Sequence, residues 1–222
     1  HRTRLTPGIG ATYVATCDKE IADYVSSIGG LAVMTSTSHT RATMRTAEAM
    51  EKIEAESGEQ VDVVVMVQGD EPLISTEAIA ETLGHFSNPT VEIVNIMSRL
   101  NTYEQFIDKN NVKVVVNHNN DALYFSREPI PSPWQGMEDI PMYMQTGIIA
   151  FRRNALQRFN QMEETRLEQI ESVDMNRVLE TGGQVRMVLT ESVTIGVDTP
   201  QELKDAEKLM NDDPTLARYL TR

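Results

Sequence analysis

Short β-branched apolar runs alternate with longer stretches of helical period along this chain, the pattern that βαβ units and a mainly parallel, buried sheet produce. Residues 12–16, 30–34 and 61–67 read as strands, and Val61-Asp62-Val63-Val64-Val65-Met66-Val67 is too continuously apolar to have one wet face. Helices fall between them. Asp18 to Ser27 opens on a capping residue and ends before Gly29-Gly30, while Ala42 to Glu56 places Ala47, Met50 and Ile53 on one face, and Ser75, Glu77 and Ala78 open another helix. In the middle of the chain Val91 to Arg99, Val112 to Asn117 and Ala122 to Ser126 are extended. The turn-forming run Asn117-His118-Asn119-Asn120-Asp121 joins the last two as a hairpin. A loop from Pro129 to Pro141 is long enough for a functional flap. Helices at about 166–181 and 200–211 flank a strand over 185–189, and no repeat or linker interrupts the 222 residues. One compact α/β domain is expected.

Composition narrows the function. The 33 acidic against 20 basic residues, a formal charge of −13, leave little for a phosphate-backbone footprint, so nucleic acid is not expected as the main ligand. No run approaches the roughly 18 apolar residues of a membrane span. The single cysteine, Cys17, cannot bridge within the chain, and the four histidines show no zinc-ligand spacing. With no signal peptide in the sequence, these features point to the cytoplasm. The chain starts His1-Arg2-Thr3-Arg4 and reaches an extended run at Thr12, which leaves open that the start of the polypeptide lies upstream.

The most informative stretch is Val67-Gln68-Gly69-Asp70-Glu71-Pro72, directly after the most apolar strand. Carboxylates at the carboxyl end of a central strand lie where open α/β sheets bind ligands. Gly69 lets a ligand approach the backbone, and Pro72 ends the strand. A hard cation such as Mg2+ takes one or two carboxylates, several waters and substrate phosphates. The competing reading makes Asp70 or Glu71 the cap of the helix near Ser75. A second acidic turn, Ile195-Gly196-Val197-Asp198-Thr199-Pro200, precedes the last long helix, where Asp198 alone reads as an N-cap. As a pair, Asp70 and Asp198 supply metal ligands from separate loops.

Gln68-Gly69-Asp70-Glu71-Pro72, Asn111-Val112-Lys113-Val114-Val115, Ala122-Leu123-Tyr124-Phe125-Ser126-Arg127, Ile130-Pro131 and Gly196-Val197-Asp198-Thr199-Pro200 occur in an order and spacing that resembles the 3-deoxy-manno-octulosonate cytidylyltransferase (CMP-Kdo synthetase) family, from about Ala11 to Met210. The resemblance implies a Rossmann-like nucleotidyltransferase fold, with helices on both faces of a mainly parallel central sheet and a smaller antiparallel β-extension. It also implies a homodimer and a Mg2+-dependent reaction in which CTP and the acid sugar Kdo give CMP-Kdo and pyrophosphate for lipopolysaccharide synthesis. By the same resemblance Asp70 and Asp198 hold the metal, and Gln68 belongs to the substrate site. Arg127 looks like the family's carboxylate- or sugar-facing arginine, a surface ion pair being the alternative. Lys113 is either a solvated edge residue, the favoured reading, or a charge near the active face. Arg166-Leu167-Glu168-Gln169-Ile170-Glu171 matches a helix whose second glutamate, Glu171, faces the sugar. Glu168, Glu171 and Asp174 read alternatively as a solvated acidic stripe. In Ser38-His39-Thr40-Arg41-Ala42-Thr43-Met44-Arg45, Thr43 and Arg45 keep the family's nucleotide-contacting pattern.

Three departures qualify the resemblance. The family's opening strand and R-x-x-S-x-R-x-P-G-K triphosphate loop have no counterpart, and Pro7-Gly8-Ile9-Gly10 reads as an ordinary loop. The 222 residues are therefore expected to form a single nucleotidyltransferase domain lacking that strand and loop. On the sugar side the family's His-x-Gly-x-Tyr is Gln145-Thr146-Gly147-Ile148-Ile149, which changes the hydrogen-bond donors offered to the sugar. Arg41-Ala42 replaces Ser-Gly beside the nucleobase. The alternatives are a cytidylyltransferase for a related acid sugar (8-amino-Kdo or a nonulosonic acid), a non-catalytic nucleotide- or sugar-binding domain, and a metal-dependent glycosyltransferase.

Overall fold

The computed structural model describes residues 1–136, 140–191, 196–197 and 199–220. Its first half runs α1 (Arg2–Leu5), β1 (Tyr13–Thr16), α2 (Lys19–Ser27), β2 (Leu31–Met34), α3 (Ala42–Ser57), β3 (Val63–Val67) and α4 (Thr76–Gly84). There follow β4 (Ile93–Arg99), α5 (Tyr103–Ile107), β5 (Lys113–Val116), β6 (Ala122–Ser126) and β7 (Tyr143–Arg152). The chain closes with α6 (Arg153–Gln161), α7 (Arg166–Glu171), α8 (Met175–Glu180), β8 (Arg186–Thr190), α9 (Pro200–Asn211) and α10 (Pro214–Leu220).

Asp18 caps α2 as expected, its carboxylate accepting the Glu20 N–H at 2.8 Å. The expected hairpin is the antiparallel pair β5–β6. The expectation of a mainly parallel sheet is corrected: β1–β2 and β4–β8 are parallel, but β3–β7, β4–β7, β5–β6 and β5–β7 are antiparallel. The reason is β7, a strand the pattern did not mark because Pro141, Gln145, Thr146 and Gly147 read as breakers or polar loop. β7 returns antiparallel through the middle of the sheet. β4 lies along one of its edges, and β3 and β5 share the other, opposite residues 148–152 and Met144 respectively.

Alternation along the strands builds a core on each face. Met66 of β3, Ile93 and Met97 of β4, and Ile149 and Phe151 of β7 pack with Met50 of α3 and Leu156 and Phe159 of α6. The intervening Val65, Ile96 and Ile148 pack with Ile74, Ala78 and Ile79 at α4. These period-two assignments fix the strand register, because a one-residue slip would exchange the two faces. β1 pairs with β2 and β3 with β7, and residues of both β1 and β3 line one open groove.

Two charged residues sit deeper than expected. Lys113 is wholly buried, since β5 lies between β6 and β7 rather than at an edge, and its Nζ donates to the carbonyls of Asp108 (2.7 Å) and Asn111 (2.5 Å). Burial pushes its ammonium pKa down. The helix expected at 166–181 is broken into α7 and α8 by Ser172, which adopts φ 53°. The break overturns the solvated acidic stripe: Glu168 is wholly buried and holds Arg177 bidentately, with Nε at 2.7 Å from Oε2. Arg177 Nη1 also donates to the carbonyls of Phe159 and Met162, both at 3.1 Å. Removing one partner of such a pair leaves an uncompensated buried charge. Glu168→Ala is therefore expected to lower stability by about 3–5 kcal/mol, measured by urea unfolding.

Candidate active site

The site is built where β3 ends. Val67 faces Ile148, so the next opposed pair would be Gln68 with Gly147, and Gln68 N–H donates to the Gly147 carbonyl at 3.2 Å. The reciprocal bond is replaced. The Gln68 carbonyl instead accepts the Glu71 N–H at 3.3 Å, closing the turn, while the Glu71 carboxylate takes the Gly147 N–H at 3.0 Å. Burial pushes the Glu71 carboxyl pKa up, the Gly147 N–H opposing this and the charge of Asp70 adding to it. On its other side the turn is tied by the Val197 N–H, which donates to the Asp70 carbonyl at 2.9 Å. With the main chain so held, Asp70 Oδ1 is buried without a hydrogen-bond partner among the described residues. The reading of Asp70 or Glu71 as a helix cap is set aside, because the cap of α4 is Ser75, whose Oγ accepts the Ala78 N–H at 3.1 Å.

β7 presents its side of the site through a bulge. The register with β4 shifts between Asn95, opposite Ile149, and Met97, opposite Gln145, so Thr146, Gly147 and Ile148 face a single β4 residue. The extra backbone is satisfied from below by Asn95, wholly buried, whose Nδ2 lies 3.1, 3.1 and 2.9 Å from the carbonyls of Ile96, Thr146 and Ile148. Bulges re-aim side chains beside active sites. Gln145 emerges here with its Oε1 buried and, among the described residues, unpartnered. A Cβ at Gly147 would stand 2.9 Å from Gln68 Cδ, so a larger residue there would have to displace that side chain.

The other expected residues divide into those lining the groove and those set behind it. Arg45, Gln68, Asp70, Arg127 and Gln145 line a groove of about 2130 Å³. That volume exceeds the 300–1,000 Å³ of an ordinary ligand pocket because the groove also runs between β1 and β3. Glu171 and Thr43 are not part of its lining. Glu171 Oε1 accepts from Ser126 Oγ at 2.8 Å and Tyr124 OH at 3.1 Å, and Oε2 accepts the Arg127 N–H at 2.9 Å. Arg127 in turn donates to the carbonyls of Glu171 (2.7 Å), Lys109 (2.8 Å) and Ser172 (3.4 Å), so it is not a surface ion pair. Thr43, buried at the start of α3, donates to Asp174 Oδ2 at 3.1 Å, and Arg45 donates to Thr35 Oγ1 and to the Ser36 carbonyl. Burial pushes the Asp174 carboxyl pKa up, with Thr43 opposing it. Asp198 lies outside the described residues; the N-cap of α9 is Thr199, in a capping box with Glu202.

Known proteins resemble this chain in sequence and in fold. A family model described as cytidylyltransferase matches residues 1–194. The 3-deoxy-manno-octulosonate cytidylyltransferase of Trichlorobacter lovleyi is 38% identical over 213 residues, covering 91% of this chain and 82% of that protein. The chain belongs to the 3-deoxy-manno-octulosonate cytidylyltransferase family. The relative of the same name from Thermodesulfovibrio yellowstonii is 37% identical over 217 residues, covering 95% of this chain and 85% of its own. A solved structure of CMP:2-keto-3-deoxy-manno-octonic acid synthetase complexed with CTP superposes with a TM-score of 0.85 at 34% identity, covering 95% of this chain and 84% of that one. The Rossmann-like nucleotidyltransferase fold expected from the cytidylyltransferase motifs is therefore present, with its sheet mixed rather than mainly parallel.

Three structural parts of the site escaped the sequence reading: Glu71 as the acceptor for Gly147, Asn95 under the bulge, and Asp174 behind Thr43. An asparagine inside Val94-Asn95-Ile96-Met97 was the available signal for the second, since a buried amide needs partners. Beside Arg45, Glu48 accepts from Lys52 at 2.7 Å, from the Ser36 N–H at 2.9 Å and from His39. Led by Lys52, these contacts hold its carboxyl pKa down at about 2, against an ordinary 4.5. A depressed folded-state pKa contributes stability that is whole above the unfolded value and lost as pH falls through the folded one. The stability gap between the parent and Glu48→Gln is thus expected to be full at neutral pH and to close between pH 4.5 and about 2, followed by urea unfolding across that range.

Proposed function

We propose that this chain transfers the cytidylyl group of CTP to the anomeric hydroxyl of Kdo, giving CMP-Kdo and pyrophosphate. The observation that carries the reading is Asp70: a carboxylate on a turn tied by main-chain bonds from β7 and Val197, with one oxygen buried and unpartnered. Catalysis of this kind rests on positioning and charge neutralisation more than on covalent help from the protein. Arg45, Gln68 and Gln145 all line the groove; in this reading Arg45 serves the nucleotide, and Gln68 and Gln145 serve the sugar.

The residues fit a hard cation. Among the described residues no three His, Cys, Asp or Glu side chains gather as a metal cluster. Mg2+, however, needs only one or two carboxylates beside water and phosphate. Asp70 and Asp198 would hold it, and when bound it lowers the sugar hydroxyl's pKa and offsets charge on the phosphates. Asp70 and Gln145 orient that end of the groove, and Arg127 and Glu171 hold the wall formed by the end of β6 and α7.

The family relationship also supports a homodimer working on soluble substrates in the cytoplasm. No helix among the described residues is long and apolar enough to cross a membrane. For the triphosphate, the reading looks to the groove between β1 and β3, where residues of both strands face the same open space. Neither strand has a pairing partner on its groove side among the described residues.

A second reading, an amino-substituted relative of Kdo as the acceptor, is favoured by Gln145. Its buried, unpartnered Oε1 stands where the family has an imidazole, and an amino group supplies a donor to it. Pyrophosphate release from CTP, Mg2+ and a panel of acid sugars decides between them. Release with Kdo supports the first reading, release only with the amino sugar the second, and silence across the panel with native-length protein overturns both. Asp70→Ala is expected to lower turnover by more than the roughly 10–100-fold typical of an outer-shell loss, with its circular dichroism unchanged. Gln145→His is expected to shift preference toward Kdo, read as the ratio of kcat/KM values for the two sugars.

A further inference from the structure

We propose that Glu71 is a positioning residue of this site: by holding the Gly147 N–H it locks the bulge of β7 to the acidic turn and so fixes Gln145 relative to Asp70. The inference rests on the function proposed above and adds a residue to it.

One ladder bond is missing where β3 leaves β7. Antiparallel partners exchange two main-chain hydrogen bonds at every second pair, and Gln68 with Gly147 makes one of them. The second acceptor is a side chain. Because the Gln68 carbonyl is turned away to close the 68–71 turn, the Gly147 N–H would be left in a half-buried position without a partner. Glu71 Oε1, three residues along the same turn, supplies the partner at 3.0 Å. The result is a closed ring of three hydrogen bonds: Gln68 N–H to Gly147, Glu71 N–H to Gln68, and Gly147 N–H to Glu71. Asp70 lies inside that ring, and Gln145 is two residues from its other side.

The ring explains why the two unpartnered oxygens stay in place. Among the described residues Asp70 Oδ1 and Gln145 Oε1 have no hydrogen bond of their own to orient them, so their positions come from the backbone beneath. That backbone is a turn on one side and a bulge on the other, neither of which is held by a complete ladder. Asn95 supports the bulge against β4, and Gly147 is pressed under Gln68, but Glu71 is the side chain that joins bulge to turn. A misplacement of about 1 Å in such a site costs on the order of a hundredfold in rate.

The test compares Glu71→Gln, which keeps a carbonyl oxygen for Gly147, with Glu71→Leu, which removes it, and Glu71→Ala as a smaller alternative should the leucine variant fold poorly. Glu71→Gln is expected to keep kcat/KM within about fivefold of the parent, the scale of exchanging a charged acceptor for a neutral one. Glu71→Leu and Glu71→Ala are expected to lose about a hundredfold, in kcat and the sugar KM and not in the KM for CTP, since Arg45 lies on other elements. In parallel, the Gly147 amide is expected to stay protected from hydrogen exchange in Glu71→Gln and to lose protection in the other two, with a shift of the Gln145 side-chain amide resonance. If Glu71→Gln is as defective as Glu71→Leu, the charge acts directly on metal or substrate and the positioning role is overturned. Full activity in Glu71→Leu, or an unmoved Gln145 resonance in both Leu and Ala variants, overturns it as well. If the parent releases no pyrophosphate with any sugar, the functional reading fails, and the Gly147 and Gln145 resonances still decide whether Glu71 fixes this geometry.

Discussion

The sheet depends on the need to pair every backbone group of β7. Ten residues long, with neighbours along both edges, this strand joins β3, β4 and β5 into one sheet. Buried N–H and C=O groups that lack partners are costly, so a strand in this position is tolerated only if its irregularities are satisfied by something else. Here the irregularity is the bulge at Thr146 to Ile148, and the compensation comes from the amide of Asn95 on one side and the carboxylate of Glu71 on the other.

The site follows from where these compensations fall. The acidic turn after β3, the bulge of β7 and the loop at Gly196-Val197 meet through main-chain bonds, and the groove opens over them. The second wall uses a different device. At the end of β6 and α7, Arg127 grips three carbonyls and Glu171 collects two hydroxyls and an N–H, so both charges are spent on shaping the wall. Behind it the Glu168–Arg177 pair fixes α7 to α8.

Much of this is legible in the amino-acid sequence. Val61 to Val67 announced a buried strand and Gln68 to Pro72 a ligand-facing turn at its end, because both signals are local: continuous apolar character, then glycine, carboxylates and proline. The hairpin at 112–126 was legible for the same reason. What failed was non-local. β7 disguises itself with Gly147 and two polar residues, which make sense only once Gln68, Glu71 and Asn95 are known to lie against them. Lys113 and Glu168 look like surface charges until β7 and Arg177 cover them. The break at Ser172, with φ 53°, is announced by no proline or glycine, and Arg127 donates to the carbonyls of Glu171 and Ser172 at that point.

The contact between Gly147 and Gln68 couples two positions far apart in the sequence. A β-carbon at 147 would stand 2.9–3.0 Å from the Gln68 side chain, so a larger residue at 147 requires Gln68 to shift or shrink. Gln145, two residues away in the same bulge, carries no such lock, its side-chain oxygen touching no hydrogen-bond partner. The steric coupling therefore runs one way: a change at 147 waits on a change at 68, while 68 can vary over the glycine without disturbing the sheet. Under the function proposed above, a new side chain at 145 would alter the sugar end of the groove and leave the acidic turn beside it in place.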